Sequence, residues 1–252
     1  MKTIKYTLAT LMVAAIVAVV LVGCKKDEKK AEKAEIRFDH IGELHNALCQ
    51  EILDKDISNA EGKSDFIVST ETIIGWIDIC ISALEQDPSV EFDDLTVQAG
   101  LVKEFFSEFG ENEFGENLLF AKLLSEEEVR RLLQRSDCSK NLENSIVNLY
   151  NSCFDSSKDS GNALDDIRTL PASTQRDVFL DVYDHSSNFW NDYFSDNDFK
   201  GMHIPFGMDI TEWMIVMDAI GSTAGIWGGP AGASLIGAAF SIGAKREYER
   251  NS

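Results

Sequence analysis

Proline is scarce in this chain, with four residues in 252, and there are only four histidines. So few prolines exclude a proline-rich linker and disfavour a turn-dense β fold. Alternating apolar–polar runs of the strand type are almost absent, and no internal repeat of constant period is present. Basic residues are also in deficit: 23 Lys and Arg face 43 Asp and Glu, a formal net charge of −20. The deficit is uneven. Residues 1–33 hold seven lysines and three acids, which leaves a net charge of −24 on the remainder. A body this acidic repels phosphate backbones, which excludes general nucleic-acid binding. Signatures of chemistry are missing as well. CxxC, HExxH, GxSxG, P-loop and GxGxxG patterns do not occur, so no thioredoxin-type redox site, zinc knuckle or nucleotide cradle is indicated.

What is present is apolar and helical. Hydrophobic residues make up 44% of the chain and aromatics 10%, enough to exclude disorder for the bulk of it. The length suits one large domain or two small ones. Ile41, Leu44, Leu48 and Ile52 fall on one face of a first helix. Ile73, Ile74, Ile77, Ile81 and Leu84 repeat at three to four residues in a second, which Asp87-Pro88 closes. Phe92 to Phe109 gives a third, ended by Gly110, and Gly115 to Leu124 a further helical stretch. Ser125-Glu126-Glu127-Glu128 reads as a capping box ahead of Val129, Leu132 and Leu133. Leu142, Ile146, Leu149 and Cys153 form the next stripe, and Asp155 to Asn162 a polar loop. Pro171 and Ser173 start a helix carrying Val178, Phe179, Val182, Phe189 and Trp190. The expectation is an all-α, multi-helix, bundle-like domain of about seven to nine helices.

The N-terminus is an address rather than part of the fold. Lys2 and Lys5 form a positive n-region, and Tyr6 to Val22 is an uncharged Ala/Val/Leu/Ile run. Leu21-Val22-Gly23-Cys24 at its end resembles the lipobox of bacterial outer-membrane lipoproteins. The resemblance implies cleavage before Cys24 and lipidation of its thiol, which makes the membrane the first expected partner. Each buried CH₂ of an acyl chain contributes about 0.8 kcal/mol, so several chains anchor stably. Lys25 stands where an aspartate would resemble an inner-membrane retention signal, which favours the outer membrane. Lys25-Lys26-Asp27-Glu28 is similar to short Lys/acidic signals that place some lipoproteins on the cell surface. The organisation expected is thus a signal peptide (1–23), a charged tether (24–35), an acidic all-α domain (36–208) and a C-terminal hairpin (209–252).

That hairpin is the most unusual segment. Ala219 to Ala244 carries no charge and seven glycines, among them Gly221, Gly225, Gly228, Gly229, Gly232 and Gly237. Gly221, Gly225 and Gly229 are spaced by four, as are Gly228 and Gly232, which on a helix makes a smooth strip for close backbone approach. Gly228-Gly229-Pro230 marks a turn between two helices, from Asp209 to about Trp227 and from Pro230 to about Tyr248. In composition the segment resembles glycine-zipper stretches of membrane-active peptides. Three destinations stay open: the domain core, a membrane-inserting or oligomerising device, or a single membrane span.

Cys49, Cys80, Cys138 and Cys153 remain after Cys24. They allow Cys49–Cys80 and Cys138–Cys153 disulfides, with free buried thiols an equal alternative. His40 and His45 are five apart and face different ways, a poor metal pair, and Asp181 with His185 has the spacing of a surface pair. Asp155, Ser157, Asp159 and Asp166 approach an EF-hand spacing, but the glycine stands one place late, at Gly161. No catalytic residue, metal ligand or cofactor is nominated. The expected role is a non-enzymatic envelope binding or interaction protein. The alternatives are a membrane-active or self-associating effector working through the hairpin, and an envelope hydrolase without a recognisable motif.

Overall fold

In a computed structural model the helical periodicity is realised as nine α-helices among the described residues, which are 38, 40–60, 68–86, 94–113, 124–154, 160–196 and 210–251. They are α1 (Ile41–Ala60), α2 (Thr70–Gln86), α3 (Leu95–Glu113), α4 (Glu126–Arg135), α5 (Lys140–Ser152), α6 (Ser160–Thr169), α7 (Thr174–Asp196), α8 (Ile210–Ala224) and α9 (Gly229–Asn251). The described residues hold no strand, and the fold is all-α. The signal segment, Cys24, the tether and most of the Gly115–Leu124 stretch lie outside the described residues.

Local signals set most helix starts. Ser125 accepts from the Glu128 amide, and Glu128 reaches back to the Ser125 N–H, so the capping box forms as expected. Ser139 caps α5 through the Leu142 amide, and Ser173 caps α7 through the Arg176 amide. Two boundaries differ from expectation. Gly110 does not end α3, which runs on to Glu113; a helix tolerates one glycine at a cost of about 1 kcal/mol. Ser160, Gly161 and Asn162 form the first turn of α6 rather than the end of a loop.

The glycine-rich hairpin lies at the centre of the architecture. α8 packs most extensively on α9 and then on α7, while α9 also packs on α1 and α3. Every residue from Trp213 to Ala224 is buried, as is every residue from Ala231 to Lys245. Helices apolar all round belong in a core, and this pair belongs to the same compact unit as the rest of the body from Phe38 onward. Among the described residues no helix is long and apolar enough to cross a membrane.

The glycines act in two groups, not as the continuous strip their spacing suggests, because a 3₁₀ turn over Ile226–Gly228 interrupts the helix. Gly221 on α8 and Gly225 just past its end meet Gly237 and Gly232 on α9. A Cβ on Gly225 would come within 2.6 Å of the Gly232 carbonyl oxygen, and one on Gly221 within 3.0 Å of the Gly237 Cα. Gly229 instead supplies the turn, with a φ of +75° that side-chain-bearing residues avoid. Gln98 of α3 then accepts from the Ala231 amide at 3.1 Å, which caps α9 from a neighbouring helix.

Candidate functional site

A buried cluster forms where the hairpin meets α1 and α7. His45 and Cys49 stand one turn apart on α1, so both project inward from one face. Asp218 comes from α8, and Trp190 and Ser186 come from α7. His45, Cys49, Asp218, Trp190 and Ser186 are all sealed from solvent. The Trp190 indole N–H donates to Asp218 Oδ2 at 2.7 Å. The other carboxylate oxygen, Oδ1, stands 3.4 Å from His45 Nε2 and has no hydrogen-bond partner. Cys49 Sγ approaches the same ring nitrogen at 3.5 Å. His45 Nδ1 faces Asn46 Oδ1 at 3.1 Å and Ser186 Oγ at 3.5 Å. Gly237 makes room for this cluster: a Cβ there would overlap the Ser222 hydroxyl and come within 2.9 Å of the His45 ring edge.

The electrostatics follow from the packing. Burial works against a charged imidazole, but the Cys49 and Asp218 groups facing it more than offset that and hold the His45 pKa well above its ordinary value. Burial pushes the Cys49 thiol up, although His45 pulls the other way. The arrangement is unlike a nucleophilic relay, which needs the thiol at one ring nitrogen and the acid at the other. Here thiol and carboxylate converge on Nε2, and no substrate reaches them. What the cluster can do is hold a positive charge, either a proton on the ring or a cation between the three donors.

A second feature opens to solvent. A cleft of about 300 Å³ is lined by Leu101, Glu104, Phe105 and Glu108 of α3, Arg135 of α4 and Trp227 of the 3₁₀ turn. The Phe105 and Trp227 rings lie 5.8 Å apart, and the Arg135 guanidinium stands 5.1 Å from the Phe105 ring centre. On the α3 surface beside it, Val97 is 57% exposed and Leu101 37% exposed.

The cysteine pairs do not form. None of the four cysteines is in a disulfide. Cys49 turns to His45, Cys80 lies 3.9 Å from the Leu48 carbonyl oxygen, Cys138 meets Ser136 Oγ at 3.4 Å, and Cys153 donates to the Leu149 carbonyl at 3.5 Å. Inward helix stripes put Cys49, Cys80 and Cys153 in the core, while Cys138 sits half-buried in the turn between α4 and α5, and none stands opposite its expected partner. Burial pushes the Cys138 thiol up to about 11, and pushes that of Cys80 further still. Asp181 and His185 do come together, at 3.3 Å, and Asp181 Oδ2 accepts from the Gly42 amide at 2.8 Å. That pair caps the start of α1, where a carboxylate suits the helix dipole. Asp166 is exposed on α6, and the other EF-hand-like positions lie outside the described residues.

Sequence reasoning weighed His45 against His40, which is exposed, and missed Cys49 four residues on. The H-x-x-x-C spacing on a helix was the available signal; nothing in the sequence ties it to Asp218. Compared with known proteins, the chain matches no family model, no curated protein and no solved structure.

Proposed function

We propose that this chain is a lipid-anchored cell-envelope protein that works by binding rather than by catalysis. In this reading Cys24 holds it at the outer membrane and the acidic helical body carries the recognition surface. The observation that carries the reading is the face of α3. Val97 and Leu101 are the exposed large hydrophobics among the described residues; Leu101 lines the Phe105–Trp227 cleft, and Val97 stands one turn before it on α3. Two exposed aliphatic residues beside an aromatic-floored cleft on so acidic a body fit a docking site better than a solvated helix face. A non-catalytic role draws support from the His45 cluster, whose thiol and carboxylate share one ring nitrogen in a sealed core. The hairpin glycines are engaged inside the fold, so recognition falls to α3 rather than to the hairpin.

The test combines anchoring with recognition. Cells grown with an alkynyl palmitate should give a labelled wild-type protein in the outer-membrane fraction, and Cys24→Ala should lose both label and fraction. A photo-crosslinking residue at Leu101 should capture an envelope component that the same residue at Gly75, exposed on α2, does not. An unlabelled wild type, or identical adducts from both positions, would overturn the reading.

A further inference from the structure

We propose that His45, Cys49 and Asp218 form a buried site for one divalent transition-metal ion of the zinc class. The inference is independent of envelope anchoring and of the α3 cleft.

The geometry comes first. Nε2 of His45, Sγ of Cys49 and a carboxylate oxygen of Asp218 lie within 4.8 Å of one another. Two edges of that triangle measure 3.5 Å from nitrogen to sulfur and 3.4 Å from nitrogen to oxygen. A tetrahedral zinc with ordinary bond lengths requires edges of about 3.6 Å and about 3.3 Å for the same donor pairs. The protein thus holds the ring nitrogen at metal-ligand separations from both the thiol and the carboxylate. Imidazole, thiolate and carboxylate together suit zinc or cobalt(II) rather than calcium or magnesium, which take oxygen ligands.

The second observation is the unmet polar groups around the triangle. Asp218 Oδ1 is buried with no hydrogen-bond partner, although Oδ2 of the same carboxylate is well bonded to Trp190. Ser222 Oγ is likewise buried and unpartnered, and Ser241 Oγ, also buried, meets only the Cys49 thiol. Ser222 stands one turn along α8 from Asp218, and the Ser241 hydroxyl lies beside the Cys49 thiol. A buried polar atom without a hydrogen bond costs about 1–3 kcal/mol, a cost that a cation bound at Asp218 Oδ1 offsets.

The surroundings fit the same role. Asn46 Oδ1, facing Nδ1, fixes the tautomer that leaves the Nε2 lone pair toward the other donors. Trp190 orients the carboxylate from behind. Charge also balances: the ion replaces one proton on the imidazole and one on the thiol, both released to solvent, so the buried cluster stays neutral. Because the cluster is sealed, the ion enters as the hairpin closes on α1.

Cobalt(II) tests this directly. The full-length reduced protein, unfolded and refolded with cobalt, should bind one ion per chain. It should show a thiolate-to-cobalt charge-transfer band with tetrahedral visible absorption, and zinc should displace both. Cys49→Ala should lose the charge-transfer band, while Cys138→Ala should keep it. Should Cys49→Ala fail to fold, X-ray absorption on the wild type still decides, since the site requires one sulfur at about 2.3 Å and nitrogen and oxygen donors at about 2.0–2.2 Å. A folded wild type with no thiolate band, a band that survives in folded Cys49→Ala, or a shell without sulfur would overturn the assignment.

Discussion

At Asp218 one carboxylate serves two helices at once. Oδ2 takes the Trp190 indole N–H from α7, and Oδ1 faces the His45 ring from α1. Removing the carboxylate leaves a buried donor and a buried imidazole without a counter-charge. Asp218→Ala should therefore lose about 3–5 kcal/mol of unfolding free energy in a urea titration of the metal-free protein. Asp218→Asn should lose less, because an amide oxygen still accepts from Trp190 and the ring can become neutral. Equal losses would mean that the charge, which both variants remove, accounts for the whole effect and the retained Trp190 acceptor for none of it. Little of this was legible in the sequence. Helical spacing puts His45 and Cys49 on one face, yet Asp218 is 173 positions from His45, and only the packing of the hairpin and α7 against α1 brings it to the same nitrogen. The histidine pairs that sequence spacing does suggest went elsewhere: His40 is exposed, and His185 helps Asp181 cap α1.

Among the helices, glycine has opposite meanings at different positions. Gly75 sits exposed in the middle of α2 with nothing within 4 Å of a would-be Cβ, so Gly75→Ala should stabilise by about 0.4–1 kcal/mol. Gly225 faces the Gly232 carbonyl oxygen at 2.6 Å from such a Cβ, backbone that cannot move aside. Gly225→Ala should cost about 1–3 kcal/mol, and thermal melts of the two variants should move in opposite directions. The α4–α5 contact adds an acid-sensitive joint. Glu143 is 3% exposed and receives Arg130 at 2.8 Å and Lys140 at 2.6 Å. Burial alone would raise its pKa, but the bonds from Lys140, Arg130 and Gln134 together hold it below the ordinary value of 4.5. A carboxylate depressed in the folded state stabilises fully above its unfolded pKa and loses that contribution as pH falls below it. Glu143→Gln should thus be about 1–2 kcal/mol less stable at neutral pH, an effect moderated by the 66% exposure of Lys140. Wild type and variant should converge as pH drops below about 4.5; parallel profiles would rule out the joint. The capping serines and the apolar stripes were readable because they act within one or two turns.

For the whole molecule, the segment that looked least like the rest of the chain turns out to hold it together. The hairpin contacts α1, α3, α4, α5 and α7, and its side chains fill the centre of the body. Truncation after residue 208 should abolish cooperative unfolding and the near-ultraviolet signal of the buried aromatics, with loss of the compact state in gel filtration. A truncated body that still melts cooperatively would refute this role. By itself the sequence determined the helical class, the turn at Gly228-Gly229-Pro230 and the capping box at Ser125, because each depends on residues close in the chain. The tertiary structure alone decided where the glycines face, which thiols stay apart and that His45, Cys49 and Asp218 meet. These depend on how helices remote in sequence pack, and an uncharged glycine-rich helix carries no stripe to say which neighbour it will take.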